Sequence, residues 1–188
     1  REKALERGIW NGFAARRAEA RARAKCRGMG IANYVDTATG VPRERAEITV
    51  HPEGRVDVVV GTVSNGQGHE TSFAQLVNEW LGVPIEDVNI IAGDTAIVKV
   101  GGGTHSGRGM RLISIVVFNA SKQIIEKGKR IAARLLESDP SQVGFEAGRF
   151  SVAGTGRAVG LFDVAAAAVR LADLPHDLRG PLAAFSDE

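Results

Sequence analysis

Two glycine-rich stretches hold the residues best suited to chemistry in this chain. The first is Gly61-Thr62-Val63-Ser64-Asn65-Gly66-Gln67-Gly68-His69-Glu70-Thr71, and the second is Gly101-Gly102-Gly103-Thr104-His105-Ser106-Gly107-Arg108-Gly109. Each precedes a helical pattern. Backbone N–H groups at a helix start have no intrahelical partner and point outward. The macrodipole adds partial positive charge there, and glycine lets a ligand reach the main chain. Anions bind such places readily. Gln67 adds amide donors and a carbonyl acceptor, suited to an oxo group or the edge of a pterin. Thr104 and Ser106 add hydroxyls, and Arg108 could clamp a phosphate with two parallel hydrogen bonds. Two such loops point to one extended, anionic, dinucleotide-sized ligand.

Each feature also has a plainer reading. A glycine loop before a helix is often only a tight turn. Gln67 could serve its own loop, and His69 and His105 fit hydrogen bonding better than metal ligation. Glu70 in a first helical turn fits simple dipole pairing, and Asp94-Thr95 fits an Asx turn. Arg108 and Arg111 could pair with Asp87 or Asp94. Generic motifs fail. Gly66-Gln67-Gly68-His69-Glu70-Thr71 has only two of the three glycines of a dinucleotide fingerprint, and no βαβ partner with an acidic residue is evident. A phosphate-loop lysine, a zinc-protease His pair and a nucleophile elbow are all missing.

The elements that must position these loops follow from periodicity. Residues 2–26 read as one Arg- and Ala-rich helix, with Leu5, Ile9 and Phe13 four apart and Gly28 and Gly30 as its stop. Ile31–Thr37 reads as a strand, Thr39-Gly40 as a turn, and Ala46–Val50 as a half-buried strand. Pro52-Glu53-Gly54 makes a hairpin turn into a central strand, Val56–Val63. Phe73, Leu76, Val77, Trp80 and Leu81 form the stripe of a helix over Glu70–Leu81, which Gly82 ends. Val88–Ala92 is a short strand. The second loop opens a helix to about Glu137, apolar nearly all round and therefore expected to be buried. Val143–Glu146 and Arg149–Val152 read as a hairpin around Ala147-Gly148, and Leu161–Leu171 as a last helix. The expected fold is α+β or α/β, a mixed sheet packed by three or four helices with an N-terminal helical arm. The expected organisation is a basic arm at 1–27, a binding domain at 28–174 and a tail or linker at 175–188.

Composition is that of an ordinary globular chain, 44% hydrophobic and 24% charged. Ten of the 23 glycines lie between Gly61 and Gly109, so the glycine excess is local. Net charge is +2, but residues 1–27 carry nine Lys or Arg against three Glu, which leaves the remainder at −4. A basic arm could meet nucleic acid. Aromatic content of 5% and near-neutral total charge weigh against it. Cys26 stands alone, which excludes an internal disulfide and offers no metal-ligand spacing. A reducing, cytoplasmic setting is the default. No apolar run approaches the ~20 residues of a membrane span, and no signal peptide is visible.

The order Gly61-Thr62, Gly66-Gln67-Gly68-His69-Glu70-Thr71, Gln75, Glu79-Trp80-Leu81-Gly82-Val83-Pro84, Gly93-Asp94-Thr95, then Gly101 to Arg108 resembles the molybdenum hydroxylases. These include the large subunits of xanthine dehydrogenase, aldehyde oxidase and carbon monoxide dehydrogenase. Weaker similarity reaches Arg27-Gly28-Met29-Gly30-Ile31-Ala32 upstream and Gly148-Arg149-Phe150 downstream, and so covers about residues 27 to 170. The resemblance implies molybdenum held by a molybdopterin dinucleotide, with cytosine as the base in bacterial members. It implies that Gly66, Gln67, Gly68 and His69 meet the pterin or its phosphates, and that Thr104, Ser106 and Arg108 meet the dinucleotide. Many members read Gly-Ser-Arg where this chain has Ser106-Gly107-Arg108, which shifts the hydroxyl's register. The family's catalytic glutamate, in a Gly-x-Gly-Glu loop, is expected beyond the C-terminus, so no catalytic residue is assigned. The implied partners are the rest of a large subunit, iron–sulfur and flavin subunits, and a small-molecule substrate. On this reading the chain is a cofactor-binding piece, inactive alone. The alternative is a stand-alone nucleotide- or phosphate-binding module.

Overall fold

The computed structural model describes residues 2–32 and 43–188. They fall into two compact units, Arg1–Ala38 and Thr39–Glu188. In the first, the expected single helix is two, α1 (Glu2–Arg7) and α2 (Phe13–Ala22), with a 3-10 turn at Trp10–Gly12 between them. Gly8 is a poor helix former. Ile9 adopts φ 50°, a left-handed backbone rare for a β-branched residue. Arg16 Nη2 donates to the carbonyl of Ile9 at 3.0 Å, which also accepts from the Gly12 amide at 3.1 Å. Helix α2 ends at Ala22, before the expected glycines, with Ala24 at φ 53°. Ile31 and Ala32 are not in a strand. The rest of the expected 31–37 strand and the turn at Thr39-Gly40 lie outside the described residues.

In the second unit, strands β1 (Arg45–His51) and β2 (Arg55–Val60) form the expected hairpin. Along both, buried residues alternate: Ala46, Ile48 and Val50, then Val56, Val58 and Val60. This is the period-2 pattern of a sheet with one face on the core. Strand β2 leads through the first glycine loop into α3 (His69–Leu81), and α3 leads into β3 (Val88–Ile91), which pairs parallel to β2. A βαβ unit is therefore present: its two strands and its helix were each expected, and their parallel pairing was not. The second loop opens α4 (Arg108–Leu135), 28 residues and so about 42 Å long. Helix α4 is amphipathic, not apolar all round. Leu112, Ile113, Val116, Val117, Ala120 and Ile124 are buried, whereas Met110, Ile115 and Phe118 are exposed.

Strands β4 (Val143–Glu146) and β5 (Arg149–Val152) form the second expected hairpin, and β6 (Ala158–Gly160), which was not expected, completes an antiparallel three-stranded sheet. Phe150 of this sheet lies against Gly128 of α4. A Cβ there would sit 2.3 Å from Phe150 Cζ, which explains a glycine in mid-helix. Helix α5 (Leu161–Arg170) follows, and then β7 (Leu182–Asp187), antiparallel to β1. Residues 175–188, expected as a tail, thus supply a strand of the main sheet, whose order is β3-β2-β1-β7. Gln123 and Lys127 of α4 donate to the carbonyls of Phe185 and Pro181, both at 3.0 Å, and shield this edge from further pairing. The architecture is α+β, with a mixed sheet and a smaller antiparallel one packed by helices. Among the described residues no helix is long and apolar enough to cross a membrane.

Candidate functional site

The two glycine loops, 40 residues apart in sequence, meet in space. The first leaves the C-terminal end of β2, and the second follows the C-terminal end of the adjacent parallel strand β3. Ligands of α/β units gather at that end of parallel strands. Glycine makes the meeting possible: a Cβ on Gly61 would lie 2.2 Å from Gly101 Cα, and one on Gly101 would lie 2.3 Å from Gly61 Cα. Main chain therefore touches main chain. Three side chains reinforce the contact. The Thr104 hydroxyl donates to the Val63 carbonyl. The His69 ring, only 8% exposed, stacks on Phe73 at 4.8 Å. Its other edge meets Gly109 at the start of α4, where an added Cβ would fall 2.9 Å from His69 Cε1. The third, Glu44, joins both loops from below.

Glu44 is fully buried. Its Oε2 accepts from Thr62 Oγ1 at 2.8 Å and from Arg108 Nη1 at 3.3 Å. Arg108 also donates from Nη1 to the Gly103 carbonyl at 2.8 Å and from Nη2 to the Arg43 carbonyl at 2.9 Å. Arg108 thus pairs with neither Asp87 nor Asp94, and its guanidinium turns inward. Asp94 forms the Asx turn, accepting from the Ala96 amide at 2.8 Å. Glu44 was not singled out in the sequence, and Thr62, though part of the first glycine stretch, was given no role of its own. The signal was present: Glu44 continues the Ala46, Ile48, Val50 alternation backwards by two residues, onto the buried face.

What remains open is backbone. Among the described residues, helices α3 and α4 begin at Gly68 and Gly107 with no side-chain cap, so no described side chain takes up their first N–H groups. A Cβ added to Gly66, Gly68, Gly103 or Gly107 would meet nothing within 4 Å among the described residues. These residues form a cradle whose floor is main chain. Gln67 is exposed and its amide is oriented: Oε1 accepts from the Asn65 amide at 2.5 Å, and Nε2 lies 3.4 Å from His69 Nδ1. Ser106 is exposed at φ 45° in the second loop. Beside the loop contact opens a cavity of about 360 Å³ lined by Gly61, Val63, Thr95, Lys99 and Gly103 among others. Of the expected ligand contacts, Gly66, Gln67, Gly68 and Ser106 face outward, while His69, Thr104 and Arg108 are engaged with the protein itself.

A family model described as a molybdopterin cofactor-binding domain matches residues 3–184. The chain is similar to the 6-hydroxypseudooxynicotine dehydrogenase complex subunit gamma of Paenarthrobacter nicotinovorans, 36% identical over 140 residues, or 74% of this chain and 18% of that protein. It is 34% identical over 111 residues to the carbon monoxide dehydrogenase large chain of Hydrogenophaga pseudoflava, covering 59% of this chain and 14% of that one. Among solved structures, reconstituted CO dehydrogenase from Oligotropha carboxidovorans superposes on 99% of this chain with a TM-score of 0.69 and 25% identity. The chain spans 25% of that structure's chain and less than a fifth of the two curated relatives.

Proposed function

This chain belongs to the molybdopterin cofactor-binding domain family of the molybdenum hydroxylases, and from that premise we propose that its paired glycine loops hold the pterin and phosphates of molybdopterin. The observation that carries this reading is the pair of uncapped helix starts, α3 and α4, set side by side over an open glycine floor. The donor set suits the ligand. Backbone N–H groups at Gly68–Glu70 and Gly107–Gly109 would take phosphate oxygens. Gln67 Nε2 would donate to the pterin edge, and Ser106 would offer its hydroxyl from the second loop. Thr104, His69 and Arg108 would act one step behind, holding the loops that touch the ligand. When bound, the cofactor supplies two-electron redox chemistry at its molybdenum. This chain would bind and orient it.

Two loops suit a ligand longer than a single pterin phosphate, which supports a dinucleotide form. Cytosine is the base proposed. The whole protein is proposed to be a cytoplasmic large subunit. With iron–sulfur and flavin partners it would hydroxylate an aldehyde or heterocycle, the added oxygen coming from water. The test is chemical analysis of the purified full-length protein. Molybdenum and released cytidine monophosphate are expected in equal amounts with the protein. A different nucleotide would correct the base, and absence of both pterin and molybdenum would overturn the reading.

A further inference from the structure

We infer that Glu44 and Arg108 form an internal latch that sets the spacing of the two glycine loops, so that Arg108 positions the ligand site without touching the ligand. This rests on the cofactor reading of those loops for its consequence, but not for its geometry. Glu44 is fully buried, and the Arg108 side chain is only 10% exposed. Burying such a pair seldom raises stability over an apolar replacement, because both charges lose their water. A buried pair does hold groups in fixed directions, and here the directions converge on the site. From Glu44, one hydrogen bond reaches Thr62 in the first loop. From Arg108, one reaches the Gly103 carbonyl in the second.

Two glycines admit these charged heads. A Cβ on Gly61 would lie 2.5 Å from Glu44 Oε1, and one on Gly102 would lie 2.5 Å from Arg108 Nη2. The anchor is firm. The Glu44 amide donates to the Glu188 carbonyl at 2.8 Å, and the Glu188 amide returns the bond at 2.9 Å, which ties the latch to the end of the main sheet. Arg108 is the first residue of α4, so holding its head also fixes where that helix start points. Both Nη atoms of Arg108 are engaged by protein acceptors, so a phosphate clamp through the two of them would displace Glu44, Gly103 or Arg43.

The test is a double-mutant cycle in the full-length protein with Glu44→Gln, Arg108→Lys and the pair together. It is read by amide hydrogen exchange over 61–69 and 101–109 and by molybdenum content. The latch predicts that either single change speeds exchange in both loops by about tenfold or more, since a hydrogen bond to a charged group is lost. The double variant should be little worse than either single one, and molybdenum content should fall in parallel. Arg108 as a direct ligand contact predicts otherwise: Arg108→Lys would lose molybdenum, while Glu44→Gln would keep it with unchanged exchange. That result overturns the latch. If Glu44→Gln does not fold, Thr62→Val removes one bond and keeps the shape. Unchanged exchange in the first loop would then overturn the proposal. Wild-type protein without molybdenum would defeat the cofactor reading, and the exchange data would still decide the latch.

Discussion

Replacing Gly61 by alanine tests whether the two loops are built on bare backbone contact. The new Cβ would lie 2.2 Å from Gly101 Cα, 2.5 Å from Glu44 Oε1 and 2.8 Å from the Val100 carbonyl oxygen. Ordinary carbon–carbon contact begins near about 3.5 Å, so the loops must part by more than about 1 Å. Overpacking usually costs about 1–3 kcal/mol. Two of the three obstacles are main chain, which cannot rotate away, so the upper end of about 3 kcal/mol applies. For a domain of this size that lowers the midpoint of thermal unfolding by roughly 6–12 °C. Gly101→Ala should behave alike, because its Cβ meets Gly61 at 2.3 Å. Gly107→Ala is the control. Its φ is −87° and nothing lies within 4 Å of the added carbon. It should be neutral or gain a few tenths of a kcal/mol, roughly, from the stiffer unfolded chain. The assay is circular dichroism against temperature, with molybdenum content on the same samples. If Gly61→Ala melts within about 1 °C of wild type, or Gly107→Ala lowers the melting midpoint as much as Gly61→Ala, the contact has been misjudged.

Two further outcomes follow from single groups away from the site. Ser121 Oγ on α4 is buried with no hydrogen-bond partner among the described residues. Ser121→Ala removes that unsatisfied group and should stabilise the chain by about 1 kcal/mol in urea titration, whereas a loss of stability would show that the hydroxyl has a partner. Burial disfavours the charge on Asp57. Hydrogen bonds from Asn89 at 2.9 Å and His51 at 2.8 Å, with the charges of Arg55 and His51, outweigh it and hold the carboxyl below its ordinary value. A lowered folded pKa gives stability that is present above the ordinary carboxylate value near about 3.9 and lost as pH falls through the folded value. Asp57→Asn should therefore unfold more easily at pH 7, and the gap to wild type should close below about pH 4. A gap that stays constant with pH would refute this assignment.

Local signals marked the two loops of the candidate site, and only distant partners revealed how the loops join. The strand, glycine loop and helix start recur because each needs a local pattern: β-branched runs, clustered glycines and an apolar stripe. The hairpin around Ala147-Gly148 was legible for the same reason. Strand β7 was not. Its six residues follow Pro181, and their partner β1 lies more than 130 residues earlier, so nothing nearby marks them. Glu44 was hidden differently. Its neighbours Arg43, Arg45 and Glu47 make the segment look like a solvated charge run, and its cationic partner Arg108 lies 64 residues on. For Arg108 a phosphate clamp and an inward ion pair demand the same residue type. Only the position of Glu44 separates them.

The glycines of the two loops do two kinds of work, and the division marks which side of each loop is fixed. At Gly61, Gly101 and Gly102 the missing Cβ is replaced by protein: the opposite backbone in the first two, the Arg108 guanidinium in the third. At Gly66, Gly68, Gly103 and Gly107 no described residue takes its place. Both kinds are needed for a backbone cradle. Loops that offered only open glycines would be free to move, and ordering them on binding would cost conformational entropy. Loops packed on both sides would have no surface to offer. Here the inward glycines and the Glu44–Arg108 pair fix the spacing, and the outward glycines leave the N–H groups bare. On the proposed cofactor reading, the ligand-facing wall is set by what lies behind it. A change at Gly61, Gly102 or Glu44 should then disturb binding without removing a proposed ligand contact.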